Sequence, residues 1–458
     1  MWPKMYYKIG ELLLMSKYRS KKYHISTYGC QMNVYDSEIL AGYLENMNYT
    51  FTEEEEDADV LIINTCAVRE KAEEKVFSKL GRLRSLKIAK PEMNLVLWGC
   101  MVQQENVIRR IKNKFGFVDL AAGTHSLKRF PELLEKARLS PKTVFDLETE
   151  EEKEELPIKR GHNIKAWVPV TYGCNNFCSY CIVPHVRGLE KSRLPQNIIN
   201  EVKGLIVKGY KEITLLGQNV NSYGKGLKQN INFAELLNLL DRLEGQFLIR
   251  YLTSHPRDFS DDIISIIQQG QKICEHFHLP LQSGSNNILD LMNRGYTREY
   301  YLELIEKIRN QVANNSITTD IIVGFPGETK KDFEDTLDML EKIRFDAAYI
   351  FVYSPRKGTK AAKMKKQVPE NIKKRRIVLL NEIQNKISME INKLLLGTEQ
   401  QILVEGKSKT DPSVFTGRTR TNKIVHLSAD KNLIGKFVNV EITETKSWTL
   451  AGNLKHII

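Results

Sequence analysis

Residues 171–188 read TYGCNNFCSYCIVPHVRG, setting Cys174, Cys178 and Cys181 in a C-x3-C-x2-C spacing. They follow a β-rich apolar run, WVPVTYG (167–173), so they fall on the loop that leaves a strand. Five further runs of this kind lie downstream: EITLLGQ (212–218), FLIRYLTS (247–254), HFHLPLQ (276–282), ITTDIIVGF (317–325) and AAYIFVYS (347–354). Helical periodicity separates them, as in IINEVKGLIVKG (198–209), NFAELLNLLDRLEG (232–245) and DFEDTLDMLEKI (332–343). Strand–helix alternation implies a parallel sheet. Six βα units over about 190 residues predict a partial form of the eight-unit barrel, where chemistry sits at the carboxyl ends of strands.

Upstream, the same alternation recurs. YHISTYGC (23–30), DVLIINTC (59–66) and LVLWGC (95–100) are followed by the helical patterns 37–47, 73–86 and 104–115. Cys30, Cys66 and Cys100 each close one of these strands. In an open parallel sheet those ends share the edge where ligands bind, so the three thiols are expected to converge on a metal or cluster. The acidic run DLETEEEKEELP (146–157) repels itself and marks a boundary. Beyond Lys393, ILVEGK, FTGRTRT, KIVHLS and KFVNVEIT read as short strands of an all-β barrel. The predicted fold class is therefore α/β: an extension over 1–21, an amino-terminal parallel α/β sheet over 22–147, and an acidic linker over 148–159. A partial (β/α)6 barrel over 160–393 and a small all-β barrel over 394–458 complete it.

A chain of 458 residues suits several domains, and 41% hydrophobic with 27% charged residues excludes a wholly disordered chain. No apolar stretch nears the roughly 18 residues of a membrane span. The run Leu12–Met15 is too short for the core of an export signal, so a cytoplasmic protein is expected. Met5 and Met15 are read as candidate alternative starts, so the first twenty residues are expected to be a loose extension. Seven cysteines in a reducing compartment do not read as a disulfide framework. The net charge of +12 is concentrated: Arg356–Arg376 holds ten basic residues against Glu370 alone. Such a patch suits a polyanion, although a solvated Lys-rich helix has the same composition.

Three thiolates do not close a tetrahedral structural zinc site, though His185 is available as a fourth ligand. A four-iron cluster on three cysteines fits better, because it leaves one iron open to a cofactor.

The C-x3-C-x2-C loop after the first strand of a partial barrel resembles the radical S-adenosylmethionine (SAM) enzymes. That resemblance implies a [4Fe-4S] cluster on Cys174, Cys178 and Cys181, SAM chelated at the open iron, and cleavage of SAM to a hydrogen-abstracting radical. Tyr180 matches the family position against the adenine. With three cysteines on an amino-terminal sheet and a terminal β-barrel, the chain is similar to the methylthiotransferases from about Tyr23 to Ile458. This implies a second [4Fe-4S] cluster on Cys30, Cys66 and Cys100, whose open iron carries the inserted sulfur, and an RNA-binding TRAM-like domain at the end. TYGCQMNVYDSE (27–38) and LLGQNVNSYG (215–224) are similar to members acting on prenylated adenosine at position 37 of tRNA. The implied reaction methylthiolates C2 of that base with two SAM per product.

Weaker candidates stand at other strand ends. Gly217, Gln218 and Asn219 match positions that contact SAM; Thr253, Ser254, His255, Gln282, Ser283, Asp320, Gly324 and Glu328 lie where barrel residues are enriched for function. His276 and His278 share a strand face and read as hydrogen-bonded core histidines, and Cys274 as a free, partly buried thiol. For RNA the expected contacts are Arg418, Arg420 and Lys423 near Phe415, and Lys373, Lys374, Arg375 and Arg376 in the basic patch. Expected partners are a tRNA carrying prenylated adenosine, a reductase or flavodoxin-type electron donor and a sulfur source, with no membrane and a monomeric chain. The competing readings are a methylthiotransferase for threonylcarbamoyl-adenosine or a ribosomal-protein aspartate, and a non-catalytic iron–sulfur or zinc RNA-binding protein.

Overall fold

The runs VLIINT and NLVLWG are buried along their whole length, as strands covered on both faces must be. In the computed structural model, which describes residues 20–67, 70–148 and 154–458, they are the centre of a six-stranded sheet. Its strands are β1 (Lys21–Thr27), β2 (Tyr49–Phe51), β3 (Val60–Thr65), β4 (Asn94–Gly99), β5 (Leu120–Ala122) and β6 (Val144–Asp146). The order is β2-β1-β3-β4-β5-β6 and every pairing is parallel. The order in which strands are added therefore reverses between β1 and β3, the place where open α/β sheets bind ligands. Leu61, Ile63, Leu95 and Leu97 pack on one face against Val76, Phe77, Leu80, Val107 and Ile111. On the other face Trp98 meets Phe130 edge-on at 5.6 Å.

Three strands of this sheet, β2, β5 and β6, have three residues each and carry no periodic signal. The expected extension over 1–21 lies outside the described residues as far as position 19, and Lys21 already belongs to β1. Of the acidic linker, residues 149–153 lie outside them too. Its far end is anchored: the Lys159 amide donates to Glu38 O at 2.9 Å, and Arg160 pairs with the buried Glu38 carboxylate at 2.8 Å. The chain divides into two compact units, and this first one runs to Gly161 and also takes in His185–Gly188.

The second unit holds both remaining domains read from the sequence. Strands β7 (Lys165–Pro169), β10 (Glu212–Leu216) and β11 (Leu248–Tyr251) form one parallel sheet in the order β11-β10-β7. Strands β12 (His276–His278), β13 (Ser316–Val323) and β14 (Ala347–Val352) form another. A single parallel bridge, Ile249 to Ile273, links β11 to the approach to β12. The six-unit barrel is thus two arcs on one shared core (Val168, Ile213, Ile249, Phe277, Ile321 and the helices around them). A two-strand ribbon, β8 (Thr171–Tyr172) with β9 (Lys191–Ser192), brackets the cysteine loop.

The terminal barrel closes in the order β15-β16-β17-β19-β18. Its strands are β15 (Glu399–Lys407), β16 (Val414–Thr419), β17 (Ile424–Ser428), β18 (Phe437–Thr445) and β19 (Thr449–Ile457), one more than the sequence pattern shows. It docks on the larger barrel through Leu403 and Phe437, packed with Leu248 and Cys274. Cys274 is only 1% exposed, more deeply buried than the partly buried thiol expected. None of the described helices is long and apolar enough to cross a membrane.

Candidate active site: two three-cysteine beds

Cys30, Cys66 and Cys100 follow β1, β3 and β4, three adjacent parallel strands. Glycine precedes two of them for a steric reason. Gly29 has φ +128° and Gly99 φ +103°. A Cβ on Gly29 would stand 2.6 Å from the Cys66 Cβ, and one on Gly99 2.5 Å from Asn64 Oδ1. Only a residue without a side chain lets these strand ends approach so closely. Cys30 then caps the helix Gln31–Asn46, whose amino terminus favours negative charge.

Beneath the thiols lies a buried polar bed. Asn33 Nδ2 donates to Thr65 O at 2.7 Å, while Asn64 Nδ2 donates to Asn33 O at 2.8 Å and Ser37 Oγ at 2.9 Å. These bonds tie the helix after β1 to the end of β3. Arg187 completes the bed. Its Nε donates to Cys100 Sγ at 3.1 Å, and Nη2 to Asn33 Oδ1 at 3.1 Å and Asp36 Oδ2 at 2.9 Å. Burial pushes the Cys100 thiol up to about 12; Arg187 opposes this, and Cys66 and Cys30 add to it. Burial also works against the Arg187 charge, but Cys100 and Asp36 overcome it and hold the guanidinium protonated.

In the second unit the cysteine loop is clamped by the turn after the helix Asn286–Leu291. Ser179 donates through its amide to Met292 O at 3.0 Å and through Oγ to Leu291 O at 2.7 Å. Asn293 Nδ2 donates to the Asn176 and Phe177 carbonyls at 3.2 and 3.1 Å. Arg294, 4% exposed, lies 3.4 Å from both Cys178 Sγ and Tyr180 Oη. Burial, with a contribution from Cys178, raises Cys174 to about 11 and Cys181 to about 12. Each triad therefore crowds thiols that repel one another once ionised, beside one buried arginine. Metal binding deprotonates such thiols and relieves the conflict.

Among the described residues no three His, Cys, Asp or Glu side chains draw close enough to hold one metal ion. Three free cysteines in each group match the donor set of a four-iron cluster with one iron left open. His185 is exposed.

Around the strand ends of the larger barrel, buried polar atoms lack partners among the described residues: Thr171 Oγ1, Asn219 Oδ1, Ser254 Oγ, both ring nitrogens of His255, and Gln282 Oε1. Buried polar atoms are normally satisfied, and a group of orphans facing one region is a bed for a polar ligand. Thr253 (φ +69°) and Gln282 (φ +67°) hold left-handed backbone here, strain of the kind found at binding sites. Asn219 is oriented by Nδ2 to Asp258 at 2.7 Å, and a Cβ on Gly217 would collide with Thr171 Oγ1. These residues suit SAM.

Other candidates sit elsewhere. Gln218 is half-buried beside this group, and Asp320 lies 3.6 Å from His278. His276 and His278 both bond Thr318 Oγ1, at 2.9 and 3.0 Å. Ser283 is buried next to Thr336, and Glu328 accepts from the Gly324 amide and from Arg376 at 2.6 Å, so these support the fold. In the basic patch, Lys374 and Arg375 are exposed, whereas Lys373 is buried beside Glu370 and Arg376 is buried on Glu328. In the terminal barrel all three cations expected on RNA have protein partners: Arg418 with Glu405, Arg420 with Glu275 and Lys423 with Asp346. Phe415 is in the core of that barrel.

Sequence reasoning missed Arg187, Arg294, Asn33 and Asp36. The available signal was a polar stripe, Asn33-Asp36-Ser37, at helical spacing on a face that is otherwise apolar.

Comparison with known proteins matches three family models in chain order: "Uncharacterized protein family UPF0004" over residues 22–123, the radical SAM superfamily over 168–340 and the TRAM domain over 393–455. The tRNA-2-methylthio-N(6)-dimethylallyladenosine synthase of Thermoanaerobacter pseudethanolicus is 54% identical over 450 residues, covering 98% of this chain and 96% of that protein. The protein of the same name from Carboxydothermus hydrogenoformans is 53% identical over 436 residues, 95% of this chain and 99% of that one. Among solved structures, the cobalamin-dependent radical SAM enzyme OxsB with aqua-cobalamin and SAM bound aligns with TM-score 0.53 at 12% identity. The alignment covers 80% of this chain and 56% of that one. The radical SAM methyltransferase TsrM from Kitasatospora setae aligns with TM-score 0.52 at 11% identity, covering 87% and 81%. At these identities the two structures speak for the fold alone.

Proposed function

Since the chain belongs to the family of tRNA-2-methylthio-N(6)-dimethylallyladenosine synthases, we propose that it methylthiolates C2 of N6-dimethylallyladenosine at position 37 of tRNA, using two SAM per product. The observation that carries this reading is the bed of Cys30, Cys66 and Cys100 on three adjacent strand ends, in a chain that also holds the C-x3-C-x2-C loop. Either triad alone would leave the reaction without its sulfur or without its radical.

The residues divide the work. Cys174, Cys178 and Cys181 would hold one [4Fe-4S] cluster with an iron left for SAM, and Cys30, Cys66 and Cys100 the other. When bound, these groups supply reductive cleavage of SAM, hydrogen abstraction at the adenine carbon, and a methylated sulfur for insertion. Tyr180 would lie against the adenine of SAM. Gly217, Gln218 and Asn219 would receive its amino-acid end, SAM would satisfy the orphaned atoms of Asn219, Ser254 and Gln282, and Asp320 would contribute from β13. Arg294 donates to Cys178 and fixes the loop relative to the turn beneath it.

Exposed Lys374 and Arg375 bind the tRNA backbone, and the pocket reads the flipped base. Arg418, Arg420, Lys423, Lys373 and Arg376 act by holding the frame that carries these surfaces. Cleavage of SAM consumes an electron and insertion consumes a sulfur, so a flavodoxin-type donor or reductase and a sulfur source must serve the enzyme. A tRNA substrate places it in the cytoplasm.

Nucleoside mass spectrometry of tRNA from a deletion strain tests the reading. The methylthio group should vanish while the prenylated adenosine remains; an unchanged methylthio signal rejects the assignment.

A further inference from the structure

Arg187 is the one cation bonded to the bed of Cys30, Cys66 and Cys100 among the described residues, and it arrives from far along the sequence. It stands six positions after Cys181 and 87 after Cys100. Its short helix, Val183–Arg187, is held there by a second bond, Thr124 Oγ1 to Val186 O at 3.1 Å. The side chain is 4% exposed.

A buried guanidinium is costly unless it is fully paired. Arg187 has one carboxylate, Asp36, which is itself completely buried. A simple ion pair would use both carboxylate oxygens in a fork. Here Asp36 Oδ1 has no partner among the described residues, and the guanidinium instead turns Nε to Cys100 Sγ and shares Nη2 between Asp36 and Asn33. One N–H of the guanidinium, Nε, is thus on the sulfur, and the carboxylate orients the group through Nη2. Three neutral thiols require no such cation. Three thiolates on a [4Fe-4S] core carry net negative charge that grows on reduction, and a fixed cation in a dry site offsets it.

We propose that Arg187 is a positioning residue that tunes the amino-terminal cluster. It donates to the Cys100 sulfur, holds that ligand in register with the Asn33–Asn64 network, and makes the reduced cluster easier to reach. This rests on the reading that the three cysteines hold a cluster. Hydrogen bonds to ligand sulfurs and nearby charge are recognised determinants of cluster potential, and outer partners of a ligand typically change metal retention about 10–100-fold.

The test uses the full chain with Cys174, Cys178 and Cys181 replaced by Ala, so that one cluster remains. About four irons per chain in this parent support the underlying reading, and none rejects it independently of Arg187. In that background Arg187→Met should retain a folded circular dichroism spectrum. Its cluster should titrate at a more negative midpoint potential by electron paramagnetic resonance and lose iron to a chelator about tenfold faster. Arg187→Lys, which keeps charge without the fork, should recover part of the potential. A folded Arg187→Met protein with the parent's potential and iron loss overturns the proposal. Should that variant not fold, Asp36→Asn decides: removing the rear anion should move the potential upward, and an unmoved potential overturns the charge argument.

Discussion

Arg420 of the terminal barrel grips Glu275 of the larger one, Nε at 2.9 Å from Oε2 and Nη2 at 2.6 Å from Oε1, with Nη2 also on Ile273 O at 2.6 Å. Arg250 returns the contact, donating to the Thr419 and Arg420 carbonyls at 2.7 and 2.8 Å while paired to Glu212. The loop after β16 thus seals the edge where β11 and β12 begin, at the end of the barrel away from the cysteine loop.

A paired, bidentate contact that is three-quarters buried contributes to stability. Arg420→Ala should lower the free energy of unfolding by about 2 kcal/mol in urea titrations, in the range for hydrogen bonds to charged groups. The salt dependence of tRNA binding should stay unchanged. A flattened salt slope at unchanged stability would assign Arg420 to RNA instead.

The basic patch separates by burial. Lys373 and Arg376 face inward on the helix Glu370–Lys393, while Lys374 and Arg375 between them face outward. Lys374→Ala with Arg375→Ala should reduce the slope of log affinity against log salt by roughly 1.5, the loss of about two phosphate contacts, at unchanged stability. Arg376→Ala should do the reverse, destabilising the protein because the buried Glu328 loses its guanidinium. Filter binding at several salt concentrations, with thermal melts, distinguishes them.

The physical range of each signal decided what could be read from the chain. The parallel strands were legible because full burial makes continuous apolar runs; Cys174, Cys178 and Cys181 stand out by local spacing, and Cys30, Cys66 and Cys100 only by their places at three strand ends. Strands of three residues, β2, β5 and β6, leave no period. Arg420 looked like an RNA contact because its partner is 145 residues away, and Arg187 was silent for the same reason. Pairing at such distance is a property of the fold, and a charged residue looks the same in sequence whether it meets a phosphate or a buried carboxylate.

His255 supplies a pH signature. Burial first, then Arg294 and Arg257, pushes its pKa down to about 2. The unfolded chain takes up a proton near pH 6.5 that the folded chain refuses until about pH 2, so stability falls as pH drops through that window. The slope from this group is about 1.4 kcal/mol per pH unit. His255→Gln should flatten the acid limb of a plot of melting temperature between pH 6.5 and 5. An unchanged limb would show that the ring takes a proton in the folded protein.

The two cysteine beds should be separable by iron count and by product. An anaerobically reconstituted chain should hold about eight irons, and Cys178→Ala or Cys66→Ala about four each. With reductant and SAM, the Cys178 variant should form no 5′-deoxyadenosine, because it breaks the C-x3-C-x2-C loop of the barrel whose strand ends carry the orphaned groups that suit SAM. The Cys66 variant should still release 5′-deoxyadenosine, since Cys174, Cys178 and Cys181 and the orphaned atoms around them are untouched, yet make no methylthiolated tRNA. The wild-type chain should yield both 5′-deoxyadenosine and S-adenosylhomocysteine. Four irons in the wild type would remove the second cluster, and methylthiolated product from the Cys66 variant would mean that the sulfur is carried elsewhere.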